Sequence, residues 1–491
     1  MCQDIDRLLL LTRLRVSGFK NLVDLDVRLG PFTCIAGTNG VGKSNFLDAI
    51  VFLSRLADDT LLNACLSVRD VGDKSGDVRG LFHHSGDYYA DEMTFTAEMI
   101  IPGSAVDDLG QTADAGSTFV EYAVGLKFRK DESGRSFGGI ELTKESLKHI
   151  PAGDAEKHLL FPNSAAWRRR AVRNQRRAPF YISTAGEHIL LHQDGGASGK
   201  PQQLLARQLP RTLLSRANAA ESRTATVVRR EMQSWRLLQL EPSALRQPDG
   251  FLAPTQLAGD GAHLPATLFH LAYEDGADAD AVFAEVANGL SRLIEDVRSV
   301  TVDRDERRQL LTLYVRGRDG TAHPARSLSD GTLRFLALEV LSLDPRSQGL
   351  LCLEEPENGI HPERLPAMIR LLMELASDTN SEVDEPLRQV IINTHSPAVV
   401  AQVEDSSLLL ANQQIRTENG RFFPVMRLAG LHGTWRDKAE EKSQIISRGN
   451  LLAFLNPVAR RDENSGGSRM RRVIDRDEFG QGQLDFSGGD D

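Results

Sequence analysis

Cysteine is scarce in this sequence. The 491 residues hold four, Cys2, Cys34, Cys65 and Cys352, with neither C-x-x-C spacing nor a framework pattern. A disulfide scaffold is therefore excluded, and two of the four fall inside predicted core strands, as structural thiols of a reducing compartment do. Long apolar runs are missing too. None approaches the length of a membrane span, and Leu8 to Leu11 is too short for the core of a signal peptide, which reads as a cytoplasmic protein with no membrane partner. Nor is there an excess of basic charge. The formal net charge of −10 excludes a uniformly basic nucleic-acid coat, so any such site is a local patch. No heptad pattern is sustained between residues 58 and 326, which argues against an extended coiled-coil arm.

What is present is an ordinary globular composition, 41% hydrophobic and 26% charged, in a chain long enough for two to four domains. One stretch organises it. Ile35 to Leu47 reads I-A-G-T-N-G-V-G-K-S-N-F-L, and Gly37, Gly40, Gly42, Lys43 and Ser44 fit the phosphate-loop pattern G-x-x-x-x-G-K-[ST]. Asn39 and Asn45 fall in the same stretch. The preceding run Phe32 to Ala36 predicts a buried strand, and Asn45 to Leu53 carries apolar residues at helical spacing. In that context the glycines let successive N–H groups point at one anion, and the helix adds the positive end of its dipole. Lys43 then serves the outer phosphates of a nucleoside triphosphate, and the Ser44 hydroxyl is a ligand for Mg²⁺.

The rest of the chain divides around this loop. Arg13 to Leu29 alternates at period two around Gly18-Phe19-Lys20-Asn21, a strand pair whose turn lies either near the nucleotide or at a solvated hairpin tip. Met93 to Ile101 and Phe119 to Arg129 predict a hairpin with a long loop, Pro102 to Thr118. Phe180 to Leu191 reads as strands and Gln202 to Leu240 as mostly helical. Asp260 is placed as a helix cap, Asp278 to Asp296 as an amphipathic helix, and Val297 to Val302 and Leu310 to Val315 as strands. Six arginines, Arg168, Arg169, Arg170, Arg173, Arg176 and Arg177, fall in ten positions with no acid among them. They form either a nucleic-acid or partner patch or a solvated face.

Further on, Ser329, Asp330 and Gly331 open a helix running to about Leu343, and Gly349 to Leu353 is a buried strand ending in Glu354 and Glu355. Pro362 to Ala376 is helical, and Gln389 to Thr394 is a buried strand ending in His395. Strands alternating with helices, with polar groups at strand ends, predict an α/β fold with a parallel sheet and a site at its carboxyl edge. From about Val458 the Gly-, Ser- and Asp-rich tail predicts disorder.

In their order, these motifs resemble an ABC-type ATPase of the RecF/SMC/OLD branch, over residues 13–56 and 320–412. L-S-D-G-T-L-R-F-L-A-L-E and E-E-P-E-N-G-I-H-P are most similar to the stand-alone OLD-like ATPases of antiphage systems such as Septu and PARIS. The resemblance implies an ABC-type P-loop ATPase head, a mixed sheet flanked by helices, with a large inserted α+β lid region. Its expected parts are an N-terminal lobe (1–57), the insertion (58–319), a C-terminal lobe (320–457) and a tail (458–491). It further implies ATP as substrate with Mg²⁺ held by Ser44 and Glu354, Glu355 acting on the attacking water, and His395 touching the γ-phosphate. Glu354 stands where the family more usually has Asp. Ser329, Asp330 and Gly331 match the signature motif, which in the family contacts the nucleotide of the other subunit, and Asn358 and Gly359 stand in the inter-subunit loop.

The implied assembly is a homodimer, or a higher even oligomer, built on an ATP sandwich that holds or activates a separate effector such as a nuclease. The glutamine on the Mg²⁺ side is left open among Gln175, Gln193 and Gln202. No Toprim nuclease set follows His395; Asp475-Arg476-Asp477 matches only D-x-D. Gln481 to Phe486 fits Q-x-x-L-x-F, which resembles a sliding-clamp-binding peptide and, with the arginine block, keeps a RecF-like DNA-repair ATPase as the alternative function.

Overall fold

The computed structural model describes residues 9–455 apart from 69–76, 130–138, 176–177, 195–199, 275, 295, 348, 381–387, 419, 439–443, 448, 450 and 452–454. Leu10–Ser17 and Leu25–Arg28 pair antiparallel, in register Arg13↔Arg28 to Val16↔Leu25, and bury alternate residues. That alternation is the period-two signal of a strand with one face on a core. They end an eight-stranded antiparallel sheet continued by Glu92–Ile100, Phe119–Arg129, Gly139–His149, Phe180–Ala185, His188–Leu191 and Gln202–Leu205. The middle of the chain is thus inserted in sequence but woven into a sheet that the N-terminal residues begin.

The second sheet has seven strands. Its first five run parallel, in the order Arg236–Leu238, Gly349–Glu354, Arg388–Thr394, Phe32–Ala36 and Leu408–Glu418. Phe32–Ala36 and Arg388–Thr394 are buried throughout, which is why their stretches Cys34 to Ala36 and Val390 to Ile392 read as unbroken apolar runs rather than alternating ones. Their two faces serve different cores. Ile35, Cys352 and Ile391 pack with helix Lys43–Leu56 and the antiparallel sheet. Cys34, Leu351 and Ile392 pack with helices Asp330–Leu343 and Leu365–Leu375. Register places Ala36 beside Thr394 and Asn393 beside Glu354, so the polar strand ends share one edge.

Several expectations are corrected. Gln202 to Leu240 holds two strands and the helix Arg223–Gln233 rather than mostly helix, because Gln202–Leu205 and Arg236–Leu238 each complete a sheet edge. Pairing across the fold overrides local propensity there. The loop from Pro102 carries its own hairpin, Ser104–Val106 with Thr112–Asp114, tied by Asp107, which accepts from the N–H groups of Leu109, Gln111 and Ala219. Asp260 does not cap the following helix; it accepts from Ala262 N–H, and His263 holds the N-cap position of Leu264–Tyr273. The helix read over Asp278 to Asp296 runs Ala279–Ser291, with Asp278 outside it as the N-cap.

Val297–Asp305 and Leu310–Gly317 form a third sheet with two shorter strands. Among the described residues no helix is long and apolar enough to cross a membrane. Cys34, Cys65 and Cys352 are buried as free thiols, and burial raises the pKa of each, that of Cys65 to about 12. Residues 456–491, with Asp475 to Asp477 and Gln481 to Phe486, lie outside the described residues.

Candidate nucleotide site

The loop from Gly37 to Gly42 joins the end of the central strand to the start of helix Lys43–Leu56. Gly40 and Gly42 sit at φ +80° and +108°, where a side chain is strained. Space matters as well. A Cβ on Gly37 would lie 2.6 Å from the Ala411 carbonyl oxygen, and one on Gly42 would lie 2.3 Å from Asn21 Nδ2. Asn21 comes from the turn between the first two strands, and its amide donates to the Val41 carbonyl (2.9 Å) and accepts from Asn45 Nδ2 (2.8 Å). Beside it Lys20 pairs with Asp48, one turn into the helix, at 2.9 Å. The turn is therefore a prop under the phosphate loop and not a solvated tip.

Lys43 is folded back over its own loop. Its ammonium donates to the carbonyls of Gly37 (2.7 Å) and Thr38 (2.9 Å). Burial lowers its pKa, and the charges of Glu355, Glu357 and Glu354 oppose that shift.

The same cleft holds the carboxylates Glu354 and Glu355. Glu354 ends its strand and accepts from Asn393 Nδ2 (3.2 Å) and Gln239 Nε2 (2.7 Å). Glu355 follows at φ +44°, with its N–H donating to both the carbonyl and the side-chain oxygen of Asn393. One Glu355 carboxylate oxygen faces His395 Nδ1 at 2.7 Å and the other accepts from Asn358 Nδ2 at 3.0 Å. Asn39, Gly40, Gly42, Lys43, Ser44 and Asn45 line a cleft of about 590 Å³ together with Gln239, Glu354, Glu355 and Asn358.

Gln239 has no counterpart among the residues singled out by sequence. Gln175, Gln193 and Gln202 do not line the cleft. Gln239 does, because it directly follows the strand Arg236–Leu238, which pairs parallel with the carboxylate strand. A polar residue just past an apolar strand was the one signal available.

The signature residues lie elsewhere. Ser329 Oγ accepts from Thr332 N–H and caps its helix, Asp330 pairs with Arg246, and Gly331 packs against the Gly359 carbonyl. Ser329, Gly331 and Gly359 line a separate cavity of about 210 Å³. One turn on, Arg334 reaches the first cleft and donates to the Asn358 carbonyl.

The arginine block is also separate. Arg168 pairs with Glu156 at 3.0 Å on a short helix anchored by buried Trp167; Arg169 and Arg173 are exposed, and Arg170 is half-buried. None of these four lines the cleft, and Arg176 and Arg177 lie outside the described residues.

A parallel sheet in which one extra strand separates the phosphate-loop strand from the carboxylate strand, with glycine loop, paired carboxylates and histidine at one edge, defines an ABC-type P-loop ATPase. Residues 32–401 match the family described as "AAA domain, putative AbiEii toxin, Type IV TA system", and the chain belongs to that family. Its fold is similar to three solved SMC heads. The SmcHead bound to the C-winged helix domain of ScpA shares 12% identity, over 85% of this chain and 97% of that one, with a TM-score of 0.42. The SMC head domain from Thermotoga maritima shares 12%, over 86% and 98%, with a TM-score of 0.37. The Smc head domain with an extended coiled coil, bound to the C-terminal domain of ScpA derived from Pyrococcus furiosus, shares 11%, over 86% and 97%, at 0.43. No curated protein matches the sequence.

Proposed function

We propose that this chain is the ATP-hydrolysing regulatory subunit of a bacterial antiphage defence complex, working in the cytoplasm, and that an ATP-sandwich dimer holds or activates a separate effector, a nuclease being the expected kind. The observation that carries the ATPase reading is the Glu355 carboxylate, held by His395 and Asn358 in the cleft that Lys43 also lines. A carboxylate so oriented can accept a proton from a water aimed at the terminal phosphate. Lys43 and the loop N–H groups bind the phosphates, and His395, which is held against Glu355 but does not itself line the cleft, aims that carboxylate and by the family resemblance touches the γ-phosphate.

The donor set suits Mg²⁺. Ser44 and Glu354 offer two hard oxygens in one cleft, and Mg²⁺ is commonly held by few protein oxygens together with substrate phosphates. When bound, the ion would neutralise charge on the phosphate chain.

The separation of Ser329, Asp330 and Gly331 from the cleft of their own chain supports the dimer. A second copy would bring its signature helix to the nucleotide, and the two-fold relation would make two equivalent sites. The defence role is supported by the antiphage-like motif runs and by the description of the matched family, which names a putative toxin.

The test is Glu355→Gln, purified for turnover and tagged in the native host for recovery with Mg²⁺ and ATP. The expected outcome is turnover lowered about 100-fold or more with ATP binding kept, together with stoichiometric recovery of a nuclease or toxin. Recovery of repair factors or the sliding clamp without an effector would replace the defence role by DNA repair. Equal inactivity of wild type and variant would remove the hydrolytic switch.

A further inference from the structure

The turn Glu354 to Glu357 carries three carboxyls, and the proposed reaction uses two. The third, Glu357, is 9% exposed, with Oε1 accepting from Thr394 Oγ1 and Oε2 buried without a hydrogen-bond partner among the described residues. Burial raises its pKa, against the opposing effect of the Thr394 bond. Such a carboxyl costs stability, so its position calls for a function.

Thr394 explains the position. It is fully buried, its hydroxyl donates to Glu357 while accepting from Ser396 N–H (2.9 Å), and its carbonyl accepts from Gly37 N–H (3.2 Å). One residue therefore joins the carboxylate turn, the turn carrying His395 and the start of the phosphate loop. Between these ties stands Glu355 at φ +44°, a left-handed conformation that persists in a non-glycine residue only when its surroundings hold it. Asn393 holds the Glu355 N–H on one side, and the next fixed point along the chain is Glu357 on Thr394.

We propose that the Thr394–Glu357 contact clamps the carboxylate turn to the strand bearing His395 and so sets the aim of Glu355. Thr394 and Glu357 are then positioning residues for ATP hydrolysis, an inference that rests on the ATPase reading above. Losing the clamp frees the turn to relax from its strained conformation and moves Glu355 away from His395. A displacement near 1 Å of a reacting group is enough to cost up to about 100-fold in rate.

The experiment compares Thr394→Val, which keeps the shape and removes the hydroxyl, with Thr394→Ser, which restores it, and Glu357→Ala, which opens the clamp from its other side. Three readouts are taken: turnover, equilibrium binding of labelled ATP, and the ¹⁵N imidazole resonance of His395, assigned by its loss in His395→Gln. Thr394→Val and Glu357→Ala are expected to lower turnover about 10- to 100-fold, leave ATP affinity within about 2-fold, and shift the His395 signal, while Thr394→Ser restores all three. Wild-type turnover with an unshifted His395 signal in Thr394→Val overturns the proposal. So does a loss of ATP binding that tracks a loss of thermal stability and is not rescued by serine. Should wild type show no turnover, the ATPase reading fails, and the His395 resonance alone decides on the clamp.

Discussion

Gln239 Nε2 lies 2.7 Å from Glu354 Oε2, across 115 residues of sequence. Its amide fixes one carboxylate oxygen while Asn393 fixes the other, so Glu354 presents a defined face to the cleft. Removing the amide leaves the backbone of the cleft intact and the carboxylate free to rotate. Gln239→Ala is accordingly expected to reduce turnover about 10-fold with ATP affinity changed by less than about 3-fold, as steady-state kinetics beside equilibrium binding will show. Unchanged turnover would take Gln239 out of the site. Beyond its place just past a short strand, nothing local marks this glutamine among the others of the middle region, since it owes its position at the cleft to the parallel pairing Leu237↔Cys352.

At the scale of elements, the phosphate loop is held from outside by a turn of the other sheet. Gly42 has two reasons to be glycine: its φ of +108° and the Asn21 amide where a Cβ would go. Asn21 cannot simply move aside, because Val41 and Asn45 both hold it. Gly42→Ala should therefore weaken ATP binding by at least about 10-fold, a cost of a little over 1 kcal/mol that left-handed strain alone can supply. Adding Asn21→Ala should return only the steric part, since the strain at φ +108° remains. Full recovery in the double variant, read by equilibrium binding, would show that the clash alone mattered. The motif made Gly42 legible in the sequence, but the prop did not, because the turn at Asn21 has the same local pattern whether it faces solvent or a neighbour.

For the whole molecule, the core shared by the antiparallel sheet and the helices Lys43–Leu56 and Arg223–Gln233 buries carboxyl groups away from the cleft. Glu231, which accepts from Trp235 Nε1 at 2.8 Å, and Glu145, which accepts from Leu213 N–H, Leu214 N–H and Tyr122, are raised by burial to about 7. A carboxyl whose pKa is higher in the folded than in the unfolded chain keeps its proton there while the unfolded chain loses it. Stability then falls as pH rises from the ordinary carboxylate range to about 7 and levels off above it. Glu231→Gln keeps an acceptor for Trp235 and cannot ionise. Its melting temperature, compared with wild type from pH 5 to 7.5, should gain steadily on it as pH rises, by a free-energy difference on the order of 2 kcal/mol. Parallel melting curves would mean that Glu231 does not titrate in this window.

Sequence alone determined roughly where the candidate groups sit: the glycine loop before a helix, and the two carboxylates and the histidine at strand ends. Those features are short-range, and a strand end or a glycine turn is written in a few adjacent residues. Four things were decided only by the tertiary structure: that Asn21 supports the loop, that Gln239 attends Glu354, that Thr394 ties Glu357 to the strand of His395, and that Ser329 to Gly331 stand apart from the cleft. The same holds for the edge strands Gln202–Leu205 and Arg236–Leu238. Each depends on a hydrogen bond or a packing contact between distant segments, and the free energy of such a contact exists only once the sheets have brought the two segments together.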